Sequence, residues 1–217
     1  MSEGDNTMNV LVACEESQEV CKAFRERGHN AYSCDIQDCS GGHPEWHIKQ
    51  DVIPLLNGNC GFYTEGGQSV HINGRWDLII AHPPCTKTSN AGAKHLYRHG
   101  KFNLQRYYEG LCGKALFLTI WACDCDRVVI ENPTPSRCFE FPNATQVIQP
   151  YEYGHPTRKR TLLWERGVKP LAPTNIVDPK SSCHEQHTWF TLGGKERQKN
   201  RSKTFPGIAR AMAEQWG

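Results

Sequence analysis

Three stretches of the sequence hold residue types that can do chemistry. The first is Asp77-Leu78-Ile79-Ile80-Ala81-His82-Pro83-Pro84-Cys85, four apolar residues between an acid and a strand-tip double proline. Such a run reads as a short strand buried on both faces, as in a parallel sheet. Pro83 and Pro84 stop it, because neither can donate to a ladder and each restricts the residue before it. Cys85 then stands on a sharp turn at the carboxyl end of a central strand, where open α/β sheets hold their ligands. A cysteine taken alone is a small buried apolar group. What sets Cys85 apart is a second stretch, Arg127-Val128-Val129-Ile130-Glu131-Asn132-Pro133, another buried strand closing on a polar tip and a proline. A thiolate is a nucleophile, and a carboxyl at a neighbouring strand end is a candidate acid or base. The third stretch is Arg158-Lys159-Arg160, which opens a later strand at Thr161 to Trp164.

The elements that must position these residues follow an α/β order. Asn9 to Cys14 reads as a first strand, with Ser17 as N-cap of a helix whose apolar stripe is Val20, Ala23 and Phe24. Gly28 ends that helix, and Asn30 to Cys34 form a second strand closing on Asp35. An acid at that tip takes ribose hydroxyls in nucleotide-binding sheets. No glycine fingerprint precedes it: Cys14-Glu15-Glu16-Ser17-Gln18 fills the place, and two acids there argue against a phosphate. They suit a ligand bearing an amine and a sulfonium. Gly41 to Gln50 reads as loop, Asp51-Val52 as a third strand end, and residues 57–74 as an inserted hairpin. Leu104, Tyr108, Leu111, Ala115, Leu118 and Ala122 step by four and three along one long amphipathic helix. Thr145 to Gln149 and Thr161 to Trp164 form a final strand pair. A last helix starts at Thr204 and Pro206, with Ile208, Met212 and Trp216 on one face. The organisation expected is a loose tail (1–7), one main domain (8–166), a small irregular insert (167–200) and a C-terminal helix (201–217) packing back on the domain.

Bulk properties bound the function. A chain of 217 residues suits one domain. A mean hydropathy of -0.62 and 22% charged residues, without an apolar run near ~20 residues, predict a soluble protein rather than a membrane span. The acidic, polar start is unlike a secretory signal, so a cytoplasmic place is expected. Eleven cysteines occur without a Cys-x-x-Cys pair, which reads as reduced core thiols and no metal site. The net charge of +2 says little, but its distribution says more. Lys87 to Arg106 holds five basic residues and no acid, and Lys195 to Lys203 holds five against one Glu. Both segments suit phosphate contact, and a solvated charged face is the plain alternative for the second.

Taken in order, the strand-end Pro84-Cys85, the strand-end Glu131-Asn132 and the downstream basic run resemble the DNA cytosine C5-methyltransferase family, in particular its short phage versions. Pro84-Cys85 is similar to the family's nucleophile motif, and Glu131-Asn132 to its Glu-Asn-Val, with Pro133 for Val. Tyr153-Gly154-His155-Pro156-Thr157-Arg158-Lys159-Arg160 resembles Tyr-Gly-x-Pro-Gln-x-Arg-x-Arg, one residue shorter and without the Gln. Glu15-Glu16-Ser17 replaces the glycine-rich motif, Thr86 replaces the Gln after the nucleophile, and the large target-recognition domain is missing. The resemblance implies a Rossmann-like S-adenosylmethionine-dependent methyltransferase sheet with helices on both faces, in a bacterial or phage-infected cytoplasm. It implies a monomer acting on double-stranded DNA with a flipped cytosine. Cys85, Glu131, Arg158 and Arg160 are then catalytic. Ala13, Cys14, Glu15, Ser17, Asp35, Ile36, Asp51, Val52 and Pro83 hold S-adenosyl-L-methionine. Lys87, Ser89, Asn90, Lys94, Arg98, Lys199 and Arg201 contact nucleic acid.

The chemistry implied gives each residue type a task. A thiolate adding to C6 of cytosine makes C5 nucleophilic toward a methyl donor. Charge pushed onto N3 calls for a carboxyl, at Glu131, that hydrogen-bonds or protonates it. Arg158 and Arg160 would hold the ring carbonyl and lower the thiol pKa. The base must first leave the stack, at a cost of a few kcal/mol. Two other readings stay open. One is an amino-methyltransferase using His82-Pro83-Pro84-Cys85, although an amide or hydroxyl at position 82 and a ring at 85 would suit it better. The other is a non-catalytic nucleic-acid-binding relic of the fold.

Overall fold

Successive residues of the central strands enter two separate cores, and that alternation sets the layering. The computed structural model describes residues 7–179, 181–182 and 202–217. The sheet strands are β1 (Asn9–Ala13), β2 (Asn30–Asp35), β3 (His47–Lys49), β4 (Leu78–Ala81), β5 (Val128–Asn132), β6 (Gln146–Ile148) and β7 (Thr161–Arg166). They lie in the order β6-β7-β5-β4-β1-β2-β3. β1 to β5 run parallel, while β7 runs against both β5 and β6. Val10, Val12, Leu78, Ile80 and Val129 face one core with helices α1 (Glu19–Glu26) and α3 (Pro206–Trp216). Leu11, Ala13, Ile79, Ala81 and Ile130 face the other with α2 (Leu104–Trp121). The chain is thus an α/β fold with a mixed sheet between helices. Among the described residues no helix is long and apolar enough to cross a membrane.

Four expectations change at the level of single elements. Ser17 is not the N-cap of α1. Gln18 holds that position in a left-handed conformation (φ 60°) with no side-chain cap. Glu15 does the capping instead: its Oε1 accepts from Val20 N at 2.7 Å and its Oε2 from Cys21 N at 3.2 Å. A carboxylate suits that place because it meets the unpaired N–H groups and the positive end of the helix. Next, β3 lies inside the segment expected as loop. Three residues are too few to show a period, and this strand is fixed by the buried His47, whose Nδ1 lies 2.9 Å from Ser33 Oγ and Nε2 2.9 Å from Gln37 O. Third, the apolar stripe of α2 points outward; its core contacts come from Gly110, Phe117 and Ile120. Last, the irregular insert of 167–200 lies partly outside the described residues, and Ser181–Ser182 pair in parallel with Thr157–Arg158.

The carboxyl terminus closes on the first helix. Ile208, Met212 and Trp216 are buried as their spacing requires. The start of α3 is seated by the Tyr153-Gly154-His155 turn. Gly207 N donates to His155 Nε2 at 2.9 Å, so this ring is neutral with its proton on Nδ1. A Cβ on Gly207 would fall 1.9 Å from Tyr153 O, so only glycine permits this approach. Burial and the nearby Arg210 charge lower the His155 pKa.

Gly207→Ala should therefore cost ~1–3 kcal/mol in urea unfolding, as overpacking does. His155→Ala should cost about 1 kcal/mol as a lost cap. The sign with pH follows from the lowered pKa. The His155 contribution is present above the ordinary histidine value of ~6.5 and is lost as pH falls through the lower folded value. The stability gap between wild type and His155→Ala should narrow from pH 7 to pH 5.

Candidate active site

β4 and β5 run parallel with Ala81 opposite Ile130, so the next residues on each strand, His82 and Glu131, emerge side by side at the carboxyl edge. Alternation gives them one face: His82 follows Ile80, and Glu131 follows Val129. Their side chains meet, with His82 Nδ1 3.1 Å from Glu131 Oε2, Glu131 buried and His82 nearly so. Thr204 Oγ1, just before α3, donates to the same Oε2 at 3.0 Å. Both donors converge on one carboxylate oxygen, Oε2. Burial alone would raise the Glu131 carboxyl. The hydrogen bond and charge of His82, the Lys159 charge and the Thr204 hydroxyl outweigh it and hold the group well below the usual carboxylate range. Burial likewise opposes a charged His82, yet the Glu131 hydrogen bond and charge, with help from Glu15, keep the imidazole pKa raised. Both shifts favour the ionic form of the pair. His82 Nε2 is buried with no hydrogen-bond partner among the described residues.

The turn carrying Cys85 is held from three sides. Thr88 N and Ser89 N both donate to Cys85 O, at 3.1 and 2.9 Å, which folds the loop back on itself. Ser89 Oγ accepts from Gly92 N at 3.3 Å and caps the short helix Asn90–Ala93. From α2, Arg106 Nη2 donates to Thr86 O and Gly92 O, each at 3.0 Å. α2 comes close because it presents glycines: a Cβ on Gly113 would lie 3.3 Å from Thr88 Cγ2, and one on Gly110 only 2.2 Å from the Phe139 ring. The loop after β5 completes the frame through Ser136 N to Thr88 O (2.7 Å) and Asn90 N to Thr134 O (3.0 Å). Cys85 itself is half-buried and not in a disulfide.

On the other side of β4 lie the ends of β1 to β3. Two non-glycine residues take left-handed backbone here, Cys14 (φ 59°) and Gln18 (φ 60°), so the turn keeps a glycine-like path without glycine. Ala13, Ser17, Val52 and Pro83 are buried, while Ile36 is 74% exposed. Asp35 and Asp51 come together: after burial, both charges help raise the Cys14 and Cys34 thiols. Asp35 Oδ1 accepts from Gln37 N at 2.9 Å, and Asp51 Oδ1 from Ile53 N at 3.0 Å. Glu15 is less available than its position in the sequence suggests, because both of its oxygens already accept from α1 and it is 4% exposed.

The remaining candidates are dispersed. Arg158 and Arg160 are exposed, and the basic side chain whose charge acts on Glu131 is Lys159 between them. Lys87 is ion-paired to Glu109. Asn90 and Lys94 are exposed, Ser89 is a buried cap, and Arg98 lies in the hairpin of Tyr97–Arg98 and Lys101–Phe102. Lys199 and Arg201 lie outside the described residues. His82, Lys159, Thr204 and Arg106 were missing from the sequence-derived site. Counting alternate residues past Ile80 and Val129 would have found His82. Thr204 and Arg106 carry no such signal, since distant segments bring them in. No family model matches the chain, and no curated protein matches it.

Because the pair is buried, losing one partner strands a charge. His82→Leu should cost ~3–5 kcal/mol in urea unfolding, and adding Glu131→Leu should recover much of that loss. The pair's contribution should be largest between the ordinary Glu and His values, ~4.3 and ~6.5. It falls in acid as the depressed Glu131 protonates, and in alkali as His82 loses its proton above its raised value. A cycle with no coupling at pH 6 would contradict the pairing.

Proposed function

We propose that this chain transfers a methyl group from S-adenosyl-L-methionine to C5 of cytosine in DNA through a covalent bond between Cys85 and C6. The observation that carries this reading is the parallel pairing of β4 and β5, which brings the Cys85 turn and Glu131 to one sheet edge. The run β3-β2-β1-β4-β5 supports a Rossmann-like methyltransferase sheet, since it follows the doubly wound order. Strand order reverses between β1 and β4, and the crevice outside their ends is where such sheets bind ligands.

The residues at that crevice fit the cofactor, whose role is to supply an electrophilic methyl carbon. Asp35 would take the ribose and Asp51 the adenine side, with Ala13, Cys14, Ile36, Val52 and Pro83 giving backbone and apolar contact. The orphaned His82 Nε2 is a donor that the carboxylate of the amino-acid end would satisfy. Glu15 is engaged by α1 and burial raises its carboxyl, so it frames the amine side of the crevice rather than contacting the cofactor directly.

On the base, the Cys85 thiolate attacks C6 and C5 becomes nucleophilic. Glu131 rests as a carboxylate that accepts from the N4 amine of the base, and it becomes the acid for N3 only on taking the His82 proton. The proton required at N3 is drawn from His82 by way of Glu131. A water molecule takes the C5 proton, and the C5–H electron pair forms the C5–C6 double bond as the Cys85 thiolate leaves C6. The N3 proton returns through Glu131 to His82. The engagement of His82 by Glu131 speaks against the amino-methyltransferase reading, which would need that tip for the acceptor amine.

Fluorine at C5 blocks the last elimination, because no proton is there to remove. DNA containing 5-fluorocytosine, with the cofactor, should give a denaturation-resistant adduct whose mass maps to the Cys85 peptide. Cys85→Ala should give none, and Glu131→Gln should form it far more slowly. No adduct with wild type would sink the covalent mechanism. In calorimetry Asp35→Ala should weaken cofactor binding by ~1–3 kcal/mol, the cost of a lost charge-assisted hydrogen bond. Unchanged affinity would remove Asp35 from the ribose.

A further inference from the structure

The outer side of α2 carries Leu104, Tyr108, Leu111, Ala115 and Leu118 in steps of four and three, and its C-cap Ala122 continues the row. That spacing is the seam of a coiled coil, a narrow stripe that one further helix can cover. Here it is open: Leu104 is 70% exposed, Tyr108 62%, and Leu111 and Leu118 40% each. Ala115 and Ala122 are exposed as well. The helix spends its other side, Gly110, Phe117 and Ile120, on the core. Single exposed apolar residues are ordinary, but a contiguous stripe along 18 residues marks an interaction surface.

We infer that this stripe pairs with the α2 stripe of a second copy of the chain, the two helices running antiparallel about a two-fold axis near Gly113. The sizes of the side chains select this occupant and direction. Laid antiparallel, Leu104 meets Ala122, Tyr108 meets Leu118 and Leu111 meets Ala115, and the two-fold repeats each layer. Leucines then fill the space over alanines. In a parallel pair like would meet like, leaving gaps at Ala115 and Ala122 and crowding Tyr108 against itself. The interface is self-complementary, as a two-fold dimer demands.

The flanks agree with this pairing. Gln105, Cys112 and Thr119 border one side of the seam without charge, and Tyr107, Lys114 and Trp121 border the other. Lys114 would approach its own copy, and its long stem can carry the ammonium out to water. The stripe alone buries on the order of 1,000 Å² in total, the small end for a specific complex, so association is concentration-dependent. Its inner side holds the Cys85 turn through Arg106 and Gly113, so pairing stiffens the floor of that turn. The surface does not depend on the methyl-transfer reading.

Sedimentation of the full chain from low micromolar to hundreds of micromolar should show a growing dimer fraction. Leu111→Glu and Ala115→Lys, each alone, should stay monomeric with an unchanged thermal transition. Mixed in equal amounts, the two variants should dimerise again, because the new acid of one copy meets the new base of the other. A parallel pair would give no such rescue. Wild type that is monomeric at the highest concentration, or a dimer indifferent to both substitutions, would overturn the inference. A mixture that stays monomeric would overturn the antiparallel register.

Discussion

The ion pair between His82 and Glu131 is the constraint on which the rest of this structure depends. Two charges cannot be taken out of water at a strand edge unless geometry and further donors compensate the desolvation. The parallel register of β4 and β5 supplies the geometry, and Thr204 supplies a further donor to the same carboxylate oxygen. Thr204 can arrive only because α3 returns to the first core, and α3 is seated by the His155–Gly207 contact and the close approach of Tyr153. The carboxyl-terminal helix is therefore tied to the pair. Met8 and Trp216 both lie against Arg127, at the opposite end of β5 from Glu131.

A second consequence concerns which cysteine can react. Cys14, Cys21 and Cys34 are core thiols whose pKa is raised first of all by burial, Cys34 to about 12, and a thiol held protonated is a poor nucleophile. Cys123 and Cys125 are buried too, and their thiols are likewise raised. Cys85 differs in kind. It sits half-buried on a turn braced by Arg106, by the Ser89 cap and by the loop after β5. Rigid support of a partly accessible side chain is what a covalent catalyst requires, since a misplacement of about 1 Å costs orders of magnitude in rate.

Much of the sheet was legible because it is written in continuous apolar runs ended by prolines or polar tips. Leu78 to Ala81 and Val128 to Ile130 are such runs, and their ends located Cys85 and Glu131 correctly on one edge. Elements held by a few specific contacts were not legible. β3 depends on His47 between Ser33 and Gln37, and the cap of α1 on Glu15, two residues before the expected Ser17. For α2 the period was right but the buried side was not, because glycines and Phe117 pack inward while the leucines stay outside. The basic group acting on Glu131 was sought at Arg158 and Arg160. Lys159, in the link between Thr157–Arg158 and β7, acts there instead, and a two-residue link has no period to read.

The most direct measurement is nucleoside mass spectrometry on DNA from cells expressing wild type, Cys85→Ala and Glu131→Gln, each shown to be folded. The predicted result is 5-methyl-2′-deoxycytidine with wild type, none with Cys85→Ala and a small fraction with Glu131→Gln. Methylation retained in Cys85→Ala, or a product at N4 of cytosine or N6 of adenine, would contradict it.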